Sequence, residues 1–307
     1  MKDAGQPTLT LNSAIKPVQM QKKITSYLCK AFLTLVLLTL GSGCTTIIVN
    51  PLLDPLSLSL QKQTDLELLQ DGAPTLLLLL DALIDGDPDN EHLLMASIKA
   101  YGAYASILYE EGQIERAVNM SVKSKRYGIN LLKLLPTLEN INSLSLEEIH
   151  QALAGLSPKK AKYLFWGAYG WATWIQYQEG GPAAMADLPI VEQIMLRVVE
   201  LDESYYYGGA HIFLGSYYSS RPQMYGGKPD LSRQHFERAL AINKRSFLFT
   251  QVAYAQTYAR LMYDRELYLK LLAEVIEKPL ADSDIASSNK LAKVMAEKLI
   301  SQVDDFF

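Results

Sequence analysis

Residues 201–240 read LDESYYYGGAHIFLGSYYSSRPQMYGGKPDLSRQHFERAL, and the fold turns on how this stretch is taken. Leu214, Gly215 and Tyr218 keep the spacing of one helix, and Phe236 with Ala239 keep that of a second. Gly226-Gly227 supplies turn chemistry between them. The unit is a helical hairpin whose small residues let two backbones approach closely.

The same alternation runs outward in both directions. Apolar positions at i, i+3, i+4 and i+7 fill stretches of about 12 to 24 residues. Breaks fall at Asp71-Gly72, Asp85-Gly86-Asp87-Pro88, Gly112, Pro136, Ser157-Pro158, Gly180-Gly181-Pro182, Gly226-Gly227 and Pro279. Ser145 with Glu148 has capping-box spacing, and Ser157-Pro158 offers an N-cap followed by proline at the first helical position. Alternating strand-like runs are absent outside residues 44–57. The expectation is an all-α fold of about twelve helices in antiparallel pairs.

Paired helices at regular spacing call for a repeat search. The tetratricopeptide pattern places Trp, Leu-Gly and Tyr on its first helix and Ala, Phe and Ala on its second. Leu214-Gly215, Tyr218, Phe236 and Ala239 fit it, with Arg221 to Tyr225 (RPQMY) as an insertion in the turn. Weaker echoes lie at Gly112 with Ala117 and at Trp166-Gly167. A degenerate tetratricopeptide-like helical hairpin solenoid follows.

The N-terminal 43 residues read differently. From Met20, Lys22, Lys23 and Lys30 form a basic region, Ala31 to Leu40 an apolar stretch, and Gly41, Ser42 and Gly43 a small-residue site before Cys44. Ten apolar residues span about 15 Å as a helix, half of a hydrocarbon core of roughly 30 Å. Residues 1–43 are therefore expected to be a signal peptide removed on export, with Met20 its natural start. Cys44 resembles a bacterial lipobox cysteine, although Leu40 stands four positions before it rather than the usual three. Thr45 in the next position leans toward the outer membrane over the inner. Residues 44–57, with Pro51 and Pro55, read as a lipidated tether, and 58–307 as an α-helical repeat-like domain.

Removing 1–43 takes five lysines and one acid, leaving 264 residues with a net charge of −8. That length buries a substantial core. The acidic balance excludes a basic nucleic-acid footprint. Cys29 leaves with the signal and Cys44 carries lipid, so no thiol remains for a disulfide, metal or nucleophile. None of His92, His150, His211 and His235 has another His or Cys at metal-binding spacing, and no HExxH, GxSxG or phosphate-loop motif is present. Gly226-Gly227-Lys228 is a plain turn. The chain is expected to be no enzyme and to use neither cofactor nor metal.

The 201–240 run resembles the signature of the T-component family of TRAP transporters, periplasmic lipoproteins built on tetratricopeptide-like helices. So do PAAMADLPIVEQIMLRVVELD (182–202), the C-terminal YAQTYARLMYDRELYLKLLAEVIEKP (254–279) and NKLAKVMAEKL (289–299). The resemblance covers about 60 to 307 and is densest from Trp166 onward. It implies a lipid-anchored periplasmic accessory that binds the extracytoplasmic solute receptor of a TRAP-type uptake system. It also implies a homo-oligomer, with a trimer as the expected form, and a cleft for an apolar ligand in each subunit. The alternative is a general tetratricopeptide-like scaffold for envelope proteins.

Several residues suit such a cleft. Trp166, Tyr169, Trp171 and Trp174 fall within nine residues, and Gly167, Gly170, Trp171 and Trp174 share a helical face. They form either a cavity wall or an aromatic core whose glycines admit neighbouring rings. On the first helix of the repeat, Gly209, Ile212, Ser216 and Ser219 face the concave side; all but Ile212 are small, so either helices approach there or space is left. Tyr206, Tyr207, Arg221 and Tyr225 would complete an aromatic pocket with a few polar groups. His211 takes the packing-tryptophan position of the repeat, which favours a packing histidine with one hydrogen-bond partner. Leu76 to Leu80 reads as a helix buried between neighbours or in an oligomer interface.

Overall fold

Apolar periodicity and capping chemistry lay down helix after helix. The computed structural model describes residues 44–281 and 283–307, with side chains from residue 53 onward. The expected signal segment lies outside the described residues. The chain divides at residue 49, and 50–307 form one unit. Among the described residues there are thirteen α-helices and no strand.

The helices are α1 (Cys44–Lys62), α2 (Leu66–Gly86), α3 (Glu91–Glu110), α4 (Ile114–Lys133), α5 (Leu146–Ala154), α6 (Ala161–Gln176) and α7 (Pro182–Asp202). There follow α8 (Tyr205–Tyr218), α9 (Pro229–Ile242), α10 (Phe249–Tyr254), α11 (Arg265–Glu277), α12 (Ala286–Ser301) and α13 (Val303–Phe306). A π-helical turn, Ala255–Ala259, extends α10.

Their starts are chemically marked. Asp65 accepts from the Leu68 amide, Asn90 from those of His92 and Leu93, and Asp264 from that of Leu267. The Ser145–Glu148 capping box forms as read from the sequence. Ser157 makes no side-chain cap; Pro158 instead opens a 3₁₀ turn, Pro158–Lys160, that feeds α6.

One expected break is missing. Asp71-Gly72 does not break the chain, because α2 runs through it and through Pro74. Leu77, Leu80 and Ile84 lie on one face of α2 and are buried, and that burial outweighs the local turn preference. Residues 44–57, read from the sequence as a tether, are helical. Leu53, Leu56 and Leu60 recur at helical spacing there, with Leu53 buried.

Successive helices pack as neighbours: α3 on α4, α4 on α6, α6 on α7, α7 on α8, and α8 on α9. The C-terminal core gathers Phe236, Leu248, Tyr254, Tyr268, Leu271 and Leu299. Phe306 and Phe307 dock back on it, with Phe307 5.2 Å from the Tyr268 ring and 5.4 Å from that of Tyr263. The chain also returns on itself. α12 touches α2, and Lys298 pairs with Glu110 at 2.6 Å.

Candidate functional site

The most unusual backbone lies at the start of α8. Tyr206, Tyr207 and Gly208 have φ of 47°, 61° and 76°, three successive residues in the left-handed region. Regular helix resumes at Gly209. For the two tyrosines this conformation costs roughly 1–2 kcal/mol each. Its surroundings hold it in place. Asn243, which ends α9, donates from Nδ2 to the Tyr207 carbonyl at 3.2 Å. The Tyr207 ring stacks on Phe247 at 5.1 Å, and the Tyr206 ring meets Trp166 edge to face at 4.6 Å.

This left-handed turn forms one wall of an open cleft of about 430 Å³. Lys99 of α3, Trp166 of α6, Ser204, Tyr205, Tyr206, Tyr207, Ile242 and Asn243 line it. Trp166 is buried and donates from Nε1 to the Tyr205 hydroxyl at 3.0 Å. The Lys99 ammonium stands 4.4 Å from the centroid of the Trp166 ring. Burial pulls its pKa below the ordinary lysine value, opposed by the charge of Asp54. Burial also pushes the phenols of Tyr205, Tyr206 and Tyr207 up. All three stay uncharged near neutrality.

Of the residues expected in a ligand cavity, Trp166, Tyr206 and Tyr207 meet in this cleft. The others are engaged elsewhere. Gly167 and Gly170 lie where α6 crosses α4, and a β-carbon on Gly170 would stand 2.5 Å from the Ser124 carbonyl oxygen. Trp171 is buried and donates to Asp187 at 2.7 Å, while Lys125 lies over the Trp174 ring at 3.4 Å. Gly209 and Gly215 are close approaches, to the Phe165 and Phe236 rings respectively. Ser216 bonds the Ile212 carbonyl at 3.0 Å, and Ile212 packs on the C-terminal core. Arg221 stacks on Tyr217, and Tyr225 is exposed on the inserted turn.

Sequence reasoning missed Lys99, Ser204, Tyr205, Ile242 and Asn243. A signal for Lys99 exists: it is the only charged residue between His92 and Glu110. Asn243 has none, since an asparagine after a helix reads as an ordinary C-cap.

A second polar cluster lies between α8 and α9. His211 is buried, and its Nδ1 is 2.7 Å from Nδ1 of His235. Its Nε2 is 3.4 Å from Glu203, which also pairs with Arg238. His211 thus has the one hydrogen-bond partner expected of a packing histidine, and its buried Nε2 makes no hydrogen bond. Among the described residues, no three His, Cys, Asp or Glu side chains are grouped to hold a metal.

Residues 62–307 match the family model of the TRAP transporter T-component. No curated protein matches the chain. The match runs from the end of α1 through the C-terminus and takes in the left-handed turn, the cleft and the histidine pair. The chain belongs to the TRAP transporter T-component family, and its role is that of a transport component.

Proposed function

We propose that this protein is a lipid-anchored periplasmic accessory of a TRAP-type solute uptake system, binding the system's extracytoplasmic solute receptor. The observation that carries the reading is the family match over residues 62–307. Cys44, behind a basic and apolar leader, serves as the acylation site, and Thr45 directs the product toward the outer membrane. Among the described residues no helix is long and apolar enough to cross a membrane.

The helices form a tetratricopeptide-like array. The approach of Gly215 to Phe236 supports this, since the repeat pattern puts those two residues at its helix–helix contact. The contact between α12 and α2 turns the array back on itself. The protein assembles as a homo-oligomer; Leu78 and Leu79, exposed by 71% and 51%, are the apolar surface that self-association would cover. The cleft at the left-handed turn shelters a small ligand against aromatic rings.

Affinity capture from native envelopes, followed by mass spectrometry, tests the reading. The solute receptor of a TRAP system should be recovered with the protein. Recovery of envelope assembly proteins without any solute receptor would replace the transport role with that of a general scaffold.

A further inference from the structure

The seam between α8 and α9 carries an acid-sensitive contact beside its strained end. His211 Nδ1 and His235 Nδ1 face each other at 2.7 Å, so in the neutral pair one proton lies between them. Glu203 decides which ring supplies it. Its carboxylate stands 3.4 Å from His211 Nε2, which favours an N–H at that nitrogen over a lone pair. His211 Nδ1 is then bare and accepts from His235 Nδ1–H. A first added proton is tolerated, because either ring can become the cation and still leave one proton between the two Nδ1 atoms. A second sets two N–H donors and two positive charges face to face, and the contact is lost.

The groups around the pair do not relieve that repulsion. Arg238 of α9 pairs with Glu203, and its own charge opposes a cation on His211. Tyr218 of α8 has its ring 5.6 Å from that of His235, and its hydroxyl is given to Glu192 of α7. Burial disfavours charge on both imidazoles.

The same seam holds the left-handed turn. His235, Ala239 and Asn243 stand four residues apart along α9 and its C-cap, on one face. His235 meets His211; the Ala239 Cα would lie 3.4 Å from a β-carbon on Gly208; Asn243 donates to the Tyr207 carbonyl. His211 itself is three residues beyond Gly208, where the left-handed backbone ends. One face of α9 thus keeps two tyrosines in a conformation that they disfavour.

We propose that the His211–His235 pair is an acid-sensitive latch, whose double protonation parts α8 from α9 and lets the turn at Tyr206 to Gly208 leave the left-handed region. The Tyr206 and Tyr207 rings then leave Trp166 and Phe247, and one wall of the cleft opens. The latch is a property of the seam and does not rest on the ligand reading of the cleft.

Hydrogen exchange read by mass spectrometry on the full chain, from pH 7 to 3.5 and corrected for intrinsic rates, tests the latch. Protection of residues 204–211 should fall about ten-fold or more, beginning above pH 4, while α3 and α4 stay protected. His235→Gln and His211→Gln, whose amides do not charge, should each keep residues 204–211 protected over that range. Loss of protection in all helices together is general acid unfolding and overturns the latch. An unchanged local loss in both glutamine variants overturns it too. If neither variant folds, the onset in the native protein decides. A local loss above pH 4 belongs to the imidazoles; one that begins only below pH 4 belongs to Glu203 and overturns the latch, as does no loss at all.

Discussion

Gly128 and Gly167 meet backbone to backbone where α4 crosses α6: a β-carbon on Gly128 would lie 2.6 Å from the Gly167 carbonyl oxygen. Helices normally keep 8–10 Å between axes because side chains hold them apart. Glycines at 128, 167 and 170 remove that spacer, and the neighbouring contact of Gly170 with Ser124 is equally tight.

The first prediction concerns that crossing. Glycine to alanine inside a helix ordinarily stabilises by roughly 0.5–1 kcal/mol. At Gly128 or Gly170 the new methyl meets backbone, which cannot rotate away, so the helices must separate. Gly128→Ala and Gly170→Ala should each lower stability by about 1–3 kcal/mol, read from urea denaturation. Gly72, in α2 with nothing within 4 Å of its built β-carbon, is the control and should show the ordinary gain. A gain at Gly128 would mean that the crossing is looser than its geometry.

A second prediction separates core from cleft. Trp171 is buried, and Asp187 holds its Nε1 while also pairing with Lys125 at 2.8 Å. Trp171→Ala should cost about 3–5 kcal/mol. Trp171→Phe should cost less, because its ring fills most of the volume that alanine would leave empty, while both variants leave Asp187 paired with Lys125. Tyr207→Ala removes a half-buried ring from the cleft and relieves none of the left-handed backbone. It should leave a folded protein with weaker ligand binding, judged by circular dichroism and titration together. Unfolding by Tyr207→Ala and tolerance of Trp171→Ala would reverse the assignment.

These sites show where the sequence was readable. Periodicity revealed the helices because burying a face such as Leu77, Leu80 and Ile84 is worth several kcal/mol. The same burial overrode the turn signal at Asp71-Gly72, worth roughly 1 kcal/mol. Ser145 and Glu148 were legible because a capping box acts within four residues. The cleft was not, since its lining comes from positions 99, 166, 204–207 and 242–243, brought together by packing that no local pattern encodes. Nor does a run of three tyrosines before Gly208 announce a left-handed turn, a conformation that tyrosine alone disfavours. The glycines near Trp166 suit either a cavity or a close approach on sequence grounds, and Gly167 and Gly170 are close approaches.

A third prediction follows from the histidine pair. Burial is the main reason that the His235 pKa falls from 6.5 to about 4, with the charge of His211 adding to it. The His211 pKa is lowered too, mainly by burial. Between pH 6.5 and 4 the unfolded chain binds more protons than the folded one, so stability falls as pH falls across this window. Protonating both rings would also leave two Nδ1 donors facing each other at 2.7 Å. The loss attributable to His235 should be about 2 kcal/mol after discounting for its partial exposure. His235→Leu should flatten the profile in that window. Glu203 titrates lower, its pKa brought to about 2 mainly by the Arg238 hydrogen bonds, so its contribution is lost only from about pH 4.5 downward. A native profile that is level from pH 6.5 to 4 would exclude the buried neutral pair.

The last prediction returns to Cys44. If its thiol carries acyl chains, each buried methylene contributes about 0.8 kcal/mol to membrane attachment, and two or three chains make anchoring effectively permanent. Cys44→Ala removes the acceptor, and residues 50–307, which form one unit, contain no thiol. Fractionation should then move the protein from the envelope pellet to the soluble fraction, with unchanged helicity and unchanged capture of the solute receptor in extract. Uptake in cells should fall even so, because the adaptor would no longer be held at the surface where its receptor passes. Retention of Cys44→Ala in the membrane would mean that the leader stays attached and that the anchor is its apolar stretch, Ala31 to Leu40.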